Sequence, residues 1–191
     1  MNRSSREEPA AVSTLFILGG ARSGKSRYAV ASQPDDLSVV FVATAEARDA
    51  DMAARIARHR AERPPHWTTV EEPYDLARRL ARVPPGVEAV VVDCLTLWVA
   101  NRQLRGDDDA AILADARALA AAIAAAPVNV TVVSNEVGEG VHPPTAEGLR
   151  FRDLLGLVNQ VVAAACERVV LMVAGIPVAV KTPPPVPMDA P

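Results

Sequence analysis

This chain of 191 residues is short of several ingredients, and each shortage narrows what it can be. Cysteine occurs only at positions 94 and 166, in apolar surroundings and without metal-ligand spacing. That removes a disulfide framework and leaves the expectation of two buried thiols in a reducing compartment. Aromatic residues make up 4 % of the chain, while half of it is hydrophobic and rich in alanine and valine. Such a composition suits helices packed on a buried sheet and not a disordered or fibrous chain. Basic excess is missing too: 20 Lys and Arg stand against 23 Asp and Glu, a formal charge of −3. Neither a nucleic-acid footprint nor a polybasic membrane patch is present, so anionic substrates must be held by particular loops. No apolar run approaches the ~20 residues of a membrane span. The run behind Glu7 and Glu8 is too short for a signal peptide. These absences give the expectation of a cytoplasmic protein. One domain is expected over residues 1–191, with irregular ends at 1–13 and at 182–191, where "TPPPVPMDAP" is proline-rich.

What is present is a regular alternation of apolar runs and helical patterns. "STLFILGG", "LSVVFVATA", "HWTTVEEP", "VEAVVVDCL", "VNVTVVSN", "RVVLMVAG" and "PVAVK" read as strands. Helices are expected at 24–32, 49–63, around 74–82 and 97–104, at 110–126 and at 149–166, with "PPG" ending the third. Continuous apolar strands separated by helices predict an α/β domain whose mostly parallel sheet is covered by helices on both faces. Ligands of such sheets bind at the carboxyl ends of the strands. Gly19 to Ser26, Thr44, Asp93 and the long glycine-bearing loop from Asn135 all follow strands.

The segment "GGARSGKS" satisfies G-x-x-x-x-G-K-[ST], with a strand before it and a helix after it. Its glycines let the backbone N–H groups of Gly19, Gly20, Ala21, Arg22, Ser23 and Gly24 wrap around phosphate oxygens. Lys25 would reach the β- and γ-phosphates, and the Ser26 hydroxyl would coordinate Mg²⁺. Asp93, ending the apolar strand "AVVVD", is the natural Walker-B carboxylate for the same ion. Together they predict a Mg-nucleotide site without choosing between a kinase, an ATPase and a GTP switch. Against the switch, "DLLG" at 153–156 lies inside a helical pattern, and no N-K-x-D follows any strand.

Of the three histidines, His66 and His142 sit in loop sequence without a defined role, whereas His59 sits on a drawable helix. Met52, Ile56 and His59 are spaced i, i+4 and i+7 and share the face expected to pack inward. One reading is a partly buried, hydrogen-bonded histidine. The other is a nucleophile, since imidazoles form covalent intermediates. Attack on an α-phosphorus would then expel pyrophosphate, with Arg55 and Arg58 offsetting developing charge. The residues alone leave a two-step nucleotide-transfer enzyme, a plain P-loop kinase with a structural His59, and a nucleotide-gated assembly protein in competition.

"GGARSGKS", "ATAEARDADMAARIARHRAERPPHWTTVEEP", "VVDCLTLWVAN", "SNEVGEGVHP" and "FRDLLGLVNQ" occur together and in one order. From about Leu15 to Lys181 the chain resembles the bifunctional adenosylcobinamide kinase/adenosylcobinamide-phosphate guanylyltransferase family of cobalamin biosynthesis. The resemblance implies a P-loop NTPase domain of the RecA-like kind and a homo-oligomer, a known member being a trimer. It implies two reactions: phosphorylation of adenosylcobinamide by ATP or GTP, then transfer of GMP from GTP to adenosylcobinamide phosphate through a guanylylated histidine. That histidine falls on His59, the phosphate cradle on residues 19–26 and the Walker-B carboxylate on Asp93. Glu71 matches an acidic family position, where a carboxylate would accept hydrogen bonds from guanine. The loop "GVHPPTAEGLRFRD" departs from the family pattern, so no corrinoid contact carries over to His142 or Arg150.

Overall fold

The computed structural model describes residues 12–183. Most of both predicted irregular ends, residues 1–11 and 184–191, lies outside this range; Val12, Ser13, Thr182 and Pro183 are non-regular.

Seven strands form one sheet: β1 (Thr14–Gly19), β2 (Val39–Ala43), β3 (Thr68–Glu71), β4 (Ala89–Asp93), β5 (Asn129–Val133), β6 (Arg168–Val173) and β7 (Ile176–Lys181). Their order is β3-β2-β4-β5-β1-β6-β7, with every pairing parallel except the β6–β7 hairpin at the edge. The helices are α1 (Lys25–Ala31), α2 (Ala50–Ala61), α3 (Leu76–Leu80), α4 (Leu95–Arg105), α5 (Asp109–Ala124) and α6 (Ala146–Ala165). The expected elements are all there. The chief difference is α6, which begins three residues earlier than its apolar period implies. Thr145 caps it, its hydroxyl oxygen accepting the Gly148 N–H at 3.1 Å, so a glycine read as loop belongs to the first turn.

Alternation along the strands divides the core into two layers. Phe16, Val40, Val42, Val90, Val92, Val130 and Val132 point to one face and meet α3, α4, α5 and α6. Leu15, Ile17, Val39, Phe41, Val91 and Val133 point to the other, where α1 packs through Ala29. The sheet is therefore covered on both faces, but unequally. Four helices seal the first face, and the second is left open beside α1 and beneath α2.

Trp98 of α4 anchors the sealed layer, fully buried, with its indole N–H donating to the Tyr74 carbonyl at 2.7 Å. Beyond it, Arg102 is buried and ion-paired with Asp107 and, at 2.5 Å, with Asp115. Arg105 also reaches Asp107, at 2.6 Å. These two arginines, Arg105 first, hold the Asp107 carboxyl down to about 2.

Trp98→Phe should lower stability by about 2 kcal/mol, from lost volume and the missing indole donor, read as a shifted urea midpoint. Asp107 supplies a pH signature. Its folded pKa lies below the ~3.9 of an unfolded aspartate, so its contribution is complete above about pH 4 and is lost as pH falls through about 2. Asp107→Asn should show a shallower loss of stability than the parent across that interval, measured by denaturant titration at each pH.

Candidate active site

The loop joining β1 to α1 has its shape imposed by its neighbours. Gly19 has φ +149°, and a Cβ there would lie 2.6 Å from the Met172 carbonyl oxygen of β6. No side chain fits that approach. Gly24 has φ +96° and caps α1 without any side-chain bond, which leaves the first-turn N–H groups free for an anion. The β6–β7 turn braces the loop from behind, the Gly175 N–H donating to the Ser23 carbonyl at 2.9 Å. Gly20, Ala21 and Arg22 are exposed at the tip, while Ser23 and Lys25 are buried. The Lys25 ammonium donates to the Gly20 carbonyl at 2.6 Å. Burial lowers its pKa, an effect partly opposed by the nearby Asp93 carboxylate.

Asp93 stands at the tip of β4, in register with Ala43 of β2 and Val133 of β5. The strand ends around it are locked by Thr44, fully buried, whose hydroxyl donates to the Cys94 carbonyl and accepts the Cys94 N–H, both at 2.8 Å. Asn101 in turn donates to the Thr44 carbonyl at 2.7 Å. Cys166 is buried as expected, but Cys94 is only half-buried and lines the cleft described next. Desolvation, with the Asp93 charge, pushes its thiol up to about 12, which keeps it protonated and inert.

Helix α2 is held by its ends. Asp49 accepts the Met52 N–H at 2.7 Å, while Arg58, His59 and Arg60 occupy the last turn, a charge order that the helix dipole favours. Every residue of α2 stays at least partly exposed. Met52, Ile56 and His59 do face inward, as their spacing predicts, but they overhang a cleft instead of packing into core. That cleft is lined by Ser26, Met52, Arg55, Ile56, His59, Arg63, Asp93 and Leu97. A second cleft, of about 430 Å³, continues past His59, Arg63 and Asp93 to Arg27, Val30 and Phe41.

The structure thus brings Lys25, Ser26, Asp93 and His59 to one region, with Arg55 beside them. Arg58 is exposed and lines neither cleft. Glu71 sits at the exposed end of β3, in register with Ala43 and outside the lining of both clefts. Its neighbour Glu72 caps the next turn, accepting from the N–H groups of Tyr74 and Asp75 at 3.1 and 2.8 Å. His66 is exposed. His142 is exposed too, its Nδ1 lying 3.1 Å from an Arg152 nitrogen. Arg63 went unmarked in the sequence, although it follows His59 by four residues and so shares its face. Its guanidinium lies 3.6 Å from the Phe41 ring centroid and donates to the Thr69 hydroxyl at 3.1 Å. Its Nε is buried with no partner among the described residues.

Residues 15–180 match the family model described as cobinamide kinase / cobinamide phosphate guanyltransferase. The chain belongs to this family. The bifunctional adenosylcobalamin biosynthesis protein CobP of Pseudomonas aeruginosa is 44 % identical over 170 residues, covering 88 % of this chain and 98 % of the relative. The bifunctional adenosylcobalamin biosynthesis protein CobU of Escherichia coli is 41 % identical over 180 residues, covering 87 % and 99 %. Its namesake from Salmonella typhimurium is 38 % identical over 179 residues. Among solved structures, a prototypical ATPase from the type III secretion system of pathogenic bacteria superposes with a TM-score of 0.51 at 11 % identity. The match spans 83 % of this chain and half of that one, and it shows the P-loop NTPase fold alone. This cobinamide kinase / cobinamide phosphate guanylyltransferase is accordingly an enzyme of adenosylcobalamin biosynthesis. Among the described residues no helix is long and apolar enough to cross a membrane.

In this enzyme Lys25→Ala, which removes the buried ammonium beside the Gly20 carbonyl, should weaken nucleotide binding at least about tenfold, while the circular dichroism spectrum is kept. Isothermal titration calorimetry with Mg-GTP makes the comparison.

Proposed function

We propose that one P-loop region serves both family reactions, with His59 as the covalent carrier of GMP. The observation that carries this reading is the placement of His59, on the inner face of α2 and sharing its cleft with Ser26 and Asp93. In the first reaction adenosylcobinamide takes the γ-phosphoryl group of ATP or GTP. In the second, the imidazole attacks the α-phosphorus of GTP. An N–P bond forms as the bridging P–O bond breaks, and pyrophosphate leaves with the electron pair. The phosphate of adenosylcobinamide phosphate then displaces the imidazole, giving adenosylcobinamide-GDP and the free enzyme. The Glu62 carboxylate lies 3.7 Å from His59 Nδ1. Arg55 and Arg63, both lining the cleft, offset charge on the phosphates, and Glu71 is assigned to the nucleotide base.

Ser26 and Asp93 offer a hydroxyl and a carboxylate to the same cleft. Two hard oxygen donors suit Mg²⁺, which keeps water ligands and takes the rest of its shell from substrate phosphates. These residues would hold the ion, and when bound it supplies neutralisation of phosphate charge. The working form is a cytoplasmic homo-oligomer.

Wild-type enzyme incubated with Mg-GTP should gain the mass of one GMP, localised to His59 by peptide mass spectrometry. His59→Asn should lose that adduct and all guanylyl transfer, yet keep at least about a third of the kinase rate, since the groups around the γ-phosphorus are untouched. An adduct on another residue, or equal loss of both activities in a folded variant, would sink the assignment.

A further inference from the structure

Two clefts meet at the strand ends, and the scheme above gives an occupant to only one of them. Ser26, His59, Arg63 and Asp93 line both. The first cleft adds Ala43, the residue of β2 that pairs with Glu71 of β3. A nucleotide whose base reaches Glu71 therefore lies on that side. The second cleft leaves the shared residues in another direction, along α1. Arg27, Val30 and Ala31 line it, and their i, i+3, i+4 spacing puts them on one face of the helix. Phe41 of β2, in the buried layer under α1, lines it as well.

The chemistry of this second cleft is wrong for a polyanion and right for an uncharged group. Beyond the shared residues its walls are the apolar side chains of Val30, Ala31 and Phe41. Its remaining charged members, Arg27 and Glu62, are opposite in sign and both exposed, so they give no net attraction for phosphate. A space of about 430 Å³ is that of a seat for a small organic group. The family reaction supplies one. Cobinamide is too large to enter whole, but its hydroxyl ends a slender arm, an uncharged amide of 1-amino-2-propanol. Extended, that arm measures about 8 Å from hydroxyl to ring. From Ser26 to Ala31 the helix rises about 7.5 Å, so the cleft and the arm match in length.

We propose that the second cleft is the acceptor subsite, taking the aminopropanol arm of cobinamide against Val30, Ala31 and Phe41 while the macrocycle stays outside. The assignment rests on the reading that one P-loop region serves both reactions, with the nucleoside on the Glu71 side. The arm's hydroxyl then meets the shared residues from a different side than the nucleoside, as an in-line displacement requires. Its oxygen bonds to the γ-phosphorus while the bridging oxygen leaves on the nucleoside diphosphate with the electron pair, and the hydroxyl proton passes to water. The new phosphate at the tip of the arm stands beside His59, so the intermediate keeps its seat for the second reaction. At the mouth, Arg27 and Glu62 offer a donor and an acceptor to amide groups of the acceptor.

Val30→Phe and Ala31→Trp each put an aromatic ring into the cleft. Ala31 is the exposed last residue of α1, so its variant keeps the fold even where the other does not. In full-length enzyme both should raise KM for cobinamide in the kinase assay at least about tenfold. Kinase kcat, KM for ATP and the rate of GMP labelling of His59 by Mg-GTP should stay within about threefold of wild type. Cobinamide KM within about threefold of wild type in folded Ala31→Trp would overturn the assignment. So would a change in KM for ATP, or in the labelling rate, as large as that for cobinamide, because the nucleotide would then be the occupant. Wild-type enzyme that phosphorylates cobinamide but gains no GMP on His59 would sink the covalent reading alone, and the kinase KM values would still decide what the cleft holds.

Discussion

The parallel register of three strands is the constraint on which the rest depends. Ile17, Val133 and Asp93 lie abreast on β1, β5 and β4, so the loop of residues 19–26, the Asn135 segment and the Asp93 carboxylate leave the sheet at one level. Parallel pairing aligns the carboxyl ends, and a β-branched core on both faces fixes the register, since a slip of one residue would turn every valine to the wrong layer. The chemistry is then a matter of what each strand end carries. Thr44 and Asn101 tie β2 to β4 at that level, and the turn after β6 closes on the loop from the far side.

The two faces of the sheet do different work. The layer under α3, α4, α5 and α6 holds most of the large fully buried side chains, including Phe16, Trp98, Leu119 and Leu155, and supplies most of the apolar burial that stabilises the fold. The layer under α1 is thinner, and the space that a further packed helix would fill is the cleft. His59 thus owes its access to a deficit of packing. A histidine on the same helical stripe, lowered onto core, would be the hydrogen-bonded residue that spacing alone also allowed.

Much of this was legible in the chain because it is local. The glycine spacing of residues 19–26, the apolar run ending at Asp93 and the period of Met52, Ile56 and His59 each follow from short-range rules, and the α/β architecture follows from their alternation. "DLLG" was correctly read as helix, since Asp153 to Gly156 lie inside α6. What stayed hidden depends on long-range contact. Gly19 is required by a carbonyl more than 150 residues away, at Met172. The Asn159 amide donates to the Asn135 carbonyl, and nothing in the apolar run "GLVNQVV" announces it. Arg63 lay on the visible stripe but beyond the expected catalytic position, and its stacking on Phe41 needs the fold. Periodicity states which way a face points and is silent about what lies beneath it.

Helix α2 connects β2 to β3, neighbouring strands of the sheet. Both of its ends therefore return to fixed points: near Thr44, whose hydroxyl is bonded on both sides, and at Trp67, buried where β3 begins. Residues 45–49 and 62–66 join the helix to those points. His59 therefore stands on a helix tethered at both ends near one side of the sheet, overhanging the cleft that Ser26 and Asp93 also line. The position of its imidazole relative to Asp93 thus follows from the pairing of β2 with β3 on one side and β4 on the other.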